Sequence, residues 1–183
     1  MKRVQRSEIL DFVTYGERRD AIRASAMKAK DARRIHLGPH LTFLFENRET
    51  VRYQVLEMVR SEQMVRESDI QHELDTYNAL MGGEGELGAT LLIEIDDAAA
   101  RPELLRRWRD LPRRVVMTFT DGSETQAQVD EDQFNDEKAS SVQFLRFKVE
   151  GRTPKGLKVD HAGYTAETAL TETQRAALLE DLG

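Results

Sequence analysis

Val115-Val116-Met117-Thr118-Phe119-Thr120-Asp121-Gly122-Ser123-Glu124-Thr125-Gln126-Ala127-Gln128-Val129 is the stretch on which the fold class turns. Asp-Gly between two β-prone runs is the sequence form of a tight hairpin, so antiparallel strands are predicted over 115–120 and 124–129. Outward from this hairpin, aliphatic and β-branched runs predict further strands over 87–95 and 142–149. The 34–45 segment, punctuated by Gly38-Pro39, reads as a hairpin or two short strands. Helical periodicity lies mostly upstream. Ser7 is placed to cap a first helix that breaks at Gly16, and a second helix runs from Glu17 to Arg34 with Ile22, Ser25, Ala26, Ala29 and Ala32 as a small apolar stripe. A helical pair follows over 50–65 and 69–81, stopped by Gly82-Gly83, and a short helix over 101–110 carries Pro102 in its first turn. Helices early and strands late give an α+β fold, with N-terminal helices and a helical pair packed on a mostly antiparallel sheet.

After Val149 the composition changes to Gly151, Pro154, Gly156 and Gly163, which reads as a linker. Thr171 and Gln174 match a capping box at the head of a final helix with Leu178, Leu179 and Leu182 on its apolar side. The expected organisation is one α+β domain over 1–150 and a linker with a C-terminal helical arm over 151–183.

The 183 residues are 39% hydrophobic, enough to bury one core, and no cysteine is present. The chain therefore ligates no iron–sulfur cluster through thiolates, makes no disulfide and has no cysteine nucleophile. No stretch is apolar enough for a membrane span, so a soluble, cytoplasmic protein is expected. The net charge of -6 is unevenly spread. Residues 1–34 carry ten basic against five acidic side chains, a second basic run covers Arg101 to Arg114, and 121–137 has seven acidic residues and no basic one. Solvated faces explain these runs, and the lack of any basic and aromatic interleaving argues against a nucleic-acid partner. No motif of a phosphate loop or nucleophile elbow surrounds Gly82-Gly83-Glu84-Gly85 or Ser140-Ser141, and no catalytic residue is assigned. His36 and His40 read as turn or strand residues, and His161 as solvent-exposed.

A polar cluster between Glu46 and Glu94 is the unusual feature. On a helix over 51–65, Val51, Val55, Met58 and Val65 share one stripe and Glu62 falls within it, which predicts a carboxylate in need of a partner. Tyr53, Glu57, Arg60 and Met64 form a second stripe, and Glu73 and Asn78 edge the apolar side of the next helix. Glu46, Arg48, Gln54 and Glu94 complete the candidate set. Three readings stay open. Arg48 and Arg60 compensate Glu57, Glu62 or Glu73 in a structural network; or a metal sits among Glu46, Glu57, Glu62, Glu73 and Glu94 with His72 as nitrogen ligand; or Arg48, Arg52 and Arg60 hold a small anion.

Phe45-Glu46-Asn47-Arg48-Glu49-Thr50 and Tyr53-Gln54-Val55-Leu56-Glu57-Met58-Val59-Arg60-Ser61-Glu62 resemble blocks of an uncharacterised bacterial family, domain of unknown function 3501. Glu73 to Asn78, Glu86 to Thr90 and Ser141 to Phe147 look like later blocks, and the resemblance extends to about residue 150. Members are encoded near rubrerythrin-like proteins and iron–sulfur oxidoreductases. The resemblance thus implies a cysteine-free accessory protein that binds a redox partner; the acidic 121–137 segment and the C-terminal helix are the contact surfaces expected for it, and a homo-oligomer is a further possibility.

Overall fold

The computed structural model describes residues 3–130 and 139–183. Its elements run α1 (Phe12–Asp31), β1 (Arg34–Leu37), β2 (Leu41–Phe45), α2 (Arg48–Ser61), α3 (Glu67–Asn78), β3 (Glu86–Ile93), α4 (Arg101–Arg107), β4 (Val115–Phe119), β5 (Glu124–Gln126), β6 (Gln128–Val129), β7 (Val142–Lys148), β8 (Pro154–His161), β9 (Tyr164–Ala169) and α5 (Glu172–Leu182). Short 3₁₀ turns occupy Arg6–Glu8 and Leu111–Arg114. The α+β class read from the sequence is the observed one.

Every strand pairing is antiparallel. One sheet has five strands in the order β1-β2-β3-β7-β6, and the other has four in the order β5-β4-β8-β9. The predicted 124–129 strand is real but divided: Ala127 donates its N–H to the Val115 carbonyl, and beyond it the chain leaves β4 and pairs with β7. At the other edge β9 lies beside β1. There the Tyr164 hydroxyl donates to the Leu37 carbonyl at 2.7 Å and accepts the His40 N–H at 3.1 Å. The inner faces bury Phe43, Phe45, Leu91 and Phe147 against Met117, Phe119 and Leu157 in one core.

Helices α1 to α3 close a second, smaller core of Tyr15, Val51, Val55, Leu56, Val59, Ile70 and Leu74. Two readings of this region are corrected. Ser7 lies in the 3₁₀ turn and Asp11 caps α1 instead, accepting the Val13 and Thr14 N–H groups at 3.0 Å each. Gly16 runs through the helix rather than ending it. A mid-helix glycine costs only about 1 kcal/mol, and the neighbouring Tyr15, fully buried, anchors that turn.

The linker expected from residue 151 is the larger correction. Pro154–His161 and Tyr164–Ala169 form a hairpin paired to β4, burying Leu157 and Val159 in the main core. Gly156 is needed inside β8 because a Cβ there would stand 2.4 Å from the Thr168 carbonyl oxygen. The capping box is present as read, with reciprocal bonds between Thr171 and Gln174. Helix α5 is no free arm: Leu178 is fully buried and the helix packs against β3 and β8. Of the acidic 121–137 segment, Glu131, Asp132, Asp136 and Glu137 lie outside the described residues.

Candidate functional site

Helix α2 starts where Asn47 and Thr50 exchange side-chain and backbone bonds, a capping box that also sets the end of β2. Glu46 is fixed there: its Oε2 accepts from the Thr50 hydroxyl at 2.6 Å and its Oε1 from Thr90 on β3 at 3.0 Å. The helix stops at Ser61. Glu62 is its exposed C-cap, Gln63 turns into the left-handed region at φ 49°, and Val65 is 78% exposed. Glu62 therefore does not occupy a buried stripe. Periodicity carried the helix one turn too far, and the buried face is Val51, Val55, Leu56 and Val59.

Glu57 is the carboxylate that is closed in. Arg19 on α1 grips it with two bonds at 2.8 and 2.9 Å, and the buried Tyr15 hydroxyl donates to the same Oε1. The Arg19 bonds hold the Glu57 carboxyl below its usual range against the opposing effect of burial, with Tyr15 adding to the depression. Burial and the Glu57 charge in turn push the Tyr15 hydroxyl up. A carboxyl with a depressed folded pKa contributes stability above its ordinary value of 4.5, and that contribution disappears as pH falls through the folded value. Urea midpoints are therefore expected to drop between about pH 5 and pH 3, and less steeply for Glu57→Gln than for wild type. Equal slopes for the two proteins would refute the assignment.

Arg60 is exposed and contributes only a distant charge to Glu57. Arg48 instead pairs with Glu8 at 2.7 Å, and Arg52 donates to the Glu8 carbonyl at 3.1 Å. The three arginines of the anion reading are thus not gathered into one pocket. Asn78 is buried and bonds both backbone groups of Val4 at 3.0 Å, pinning the N-terminal segment to α3. Tyr53 is buried on α2, with the Lys30 ammonium 5.2 Å from its ring centre. Glu94 belongs elsewhere, on the outer face of the five-stranded sheet, where it accepts from Thr42, itself bonded to His36 Nδ1 at 2.9 Å.

Glu62, His72 and Glu73 do line one shallow surface concavity with Asp69, without Glu57. Among the described residues, no group of three or more histidine, aspartate or glutamate side chains is placed to hold a metal ion. The expectation for His161 is corrected as well. Its side chain is 9% exposed, and Nδ1 accepts the Gly163 N–H, so Nε2 is the atom that faces Asp110 at 3.0 Å.

The structure brings Glu46 and Gln54 together in a cavity of about 170 Å³ between the helical layer and the outer face of the five-stranded sheet. Lys30 of α1 reaches its wall, and Leu44, Val51, Leu80 and Phe144 supply its apolar surface. Sequence reading missed both Lys30 and a second feature, the buried pair Arg33–Asp181. The signal for the latter existed, since Gln174, Leu178 and Asp181 share one helix face at i, i+4 and i+7.

A family described as "Protein of unknown function (DUF3501)" matches residues 3–182. The chain belongs to this family. A DUF3501 domain thus includes β8, β9 and α5 as well as the segment up to about residue 150. A solved structure described as a novel protein of unknown function from Burkholderia pseudomallei K96243 is 31% identical, with a TM-score of 0.90 over 100% of both chains. None of the curated proteins compared with this DUF3501 chain matches it.

Proposed function

We propose that the chain is a non-catalytic accessory protein that docks on a partner protein, and that the partner is a redox protein of the iron–sulfur oxidoreductase or rubrerythrin-like kind. The observation that carries the docking reading is an apolar strip on the outer face of the five-stranded sheet. Leu92 stands opposite Val142, and Thr90 stands opposite both Leu44 and Phe144. Val142 and Phe144 are 42% and 38% exposed, although such side chains on a sheet are normally covered by a second layer. Several charged residues of the cluster, in contrast, are engaged by protein groups outside it, Glu57 by Arg19 and Tyr15 and Arg48 by Glu8. That supports a scaffold over a reaction centre. The partner class comes from the family resemblance, and the lack of cysteine assigns any iron–sulfur cluster to the partner.

Deleting residues 151–183 is no test, because it removes two core strands. Val142→Lys places a charge in the strip without touching either core. Capture of a rubrerythrin-like or iron–sulfur oxidoreductase protein from the same cells is expected to weaken about tenfold or more. Undiminished capture by the folded variant would overturn the docking surface. Loss of a wild-type dimer in the variant would show instead that the strip joins two copies of this chain.

A further inference from the structure

We infer that the cavity between the helical layer and the five-stranded sheet binds a small aliphatic α-amino acid. The cavity shares Leu44, Thr90 and Phe144 with the apolar strip, but the inference turns on Lys30 and Glu46, which lie outside it.

Size limits the ligand first. The cavity holds about 170 Å³, space for about five or six waters at roughly 30 Å³ each. Sites for nucleotides, flavins and similar cofactors are larger, about 300–1,000 Å³. Bonded atoms pack more closely than separate waters, so a molecule of the size of valine or leucine is the match.

Charge limits it next. Lys30 and Glu46 line the same space from different elements, α1 and the end of β2. Among the described residues Glu46 is engaged by two hydroxyls and Lys30 by the Tyr53 ring, and the two do not pair with each other. A ligand with one charge would leave the opposite wall group facing a desolvated, uncharged surface, whereas a zwitterion answers both. The ammonium of the ligand is placed against Glu46, whose oxygens each keep acceptor capacity after taking the Thr50 or Thr90 hydroxyl. The ligand carboxylate is placed against Lys30, which the ring face holds without neutralising it. Those fixed partners orient both charges before any ligand arrives, which lowers the entropic cost of binding.

The remaining wall selects the side chain. Leu44, Val51, Leu80 and Phe144 accept an aliphatic group, Gln54, Tyr77 and Thr90 complete the lining, and no charged residue besides Lys30 and Glu46 is among them. Affinity is therefore expected to rise about fourfold per added methylene from alanine through valine to leucine.

Isothermal titration of the full chain tests this with L-leucine, L-valine and L-alanine, and with 3-methylbutylamine and 4-methylpentanoate as singly charged probes. Expected are saturable one-site heats for leucine, binding of both singly charged probes weaker by about tenfold or more, and a similar loss in Lys30→Met and Glu46→Gln. Glu46→Gln disturbs the start of α2, so Lys30→Met, on a half-buried helix position, carries the test if the former fails to fold. No saturable heat with leucine up to about 10 mM, leucine binding unchanged in folded Lys30→Met, or an amine that binds as tightly as leucine would each overturn the assignment.

Discussion

Asp181→Ala is expected to lower the free energy of unfolding by about 3–5 kcal/mol, because it leaves a buried guanidinium with only the exposed Glu180 carboxylate, 3.9 Å away, as counter-charge. Arg33 and Asp181 are each 6% exposed at the side chain. Arg33 Nε and Nη2 meet the two carboxylate oxygens at 2.6 and 2.8 Å, and Nη1 donates to the Ala29 carbonyl at 3.1 Å. Asn47, the cap of α2, donates to the same carboxylate at 3.2 Å. The last turn of α5 is thus tied to the end of α1 and the start of α2, both far from it in sequence. Both unfolding by urea and the far-ultraviolet signal should report the loss. The double replacement Arg33→Met with Asp181→Leu is expected to recover most of it, since an apolar pair of similar volume removes the cost of dehydrating both charges. A loss below about 1 kcal/mol in Asp181→Ala would mean that the pair contributes no more than a surface ion pair.

Gly88→Ala is expected to cost about 3 kcal/mol or more, the range of backbone clashes in a packed site. Gly88 sits in β3 between β2 and β7, and its carbonyl accepts the Glu46 N–H. An added Cβ would stand 1.9 Å from the Leu80 carbonyl oxygen and 2.8 Å from the Gly82 nitrogen. Neither side can retreat easily, because β3 is paired along both edges and Leu80 follows directly on α3. Gly16→Ala is the matched control: nothing lies within 4 Å of the added carbon, and the helix gains a better former. If Gly88→Ala unfolds at the wild-type urea concentration, the close approach of the α3–β3 connection to the sheet is wrong.

Local signals explain which parts of the fold could be read early. The turns at Gly38-Pro39 and Asp121-Gly122 announced their hairpins, since a positive φ is required at both glycines, 69° at Gly38 and 84° at Gly122. The capping box at Thr171 marked α5 for the same reason, a chemical match within four residues. The β8–β9 hairpin was hidden because Gly156 and the polar run Tyr164–Ala169 lower its β signal, and its strength comes from pairing with β4. Glu62 misled because a 3.6-residue period continues on paper past the Ser61 stop, while the chain turns left-handed at Gln63.

The amino-acid sequence by itself determined the α+β class, the turns at Gly38 and Gly122, the Thr171 cap and the lack of thiol chemistry, because each depends on a residue and its near neighbours. Only the tertiary structure decided which charges met. Arg19 found Glu57 across two helices, Arg33 found Asp181 across 148 positions, and Lys30 came to share a cavity with Glu46. Such pairings depend on which helix faces touch once two cores have closed; spacing puts Asp181 on the Leu178 face of α5 but does not name Arg33 as its partner. The hairpin at 115–129 shows the same division: its turn is local, but the change of sheet at Ala127 exists only because β7 is there to receive it.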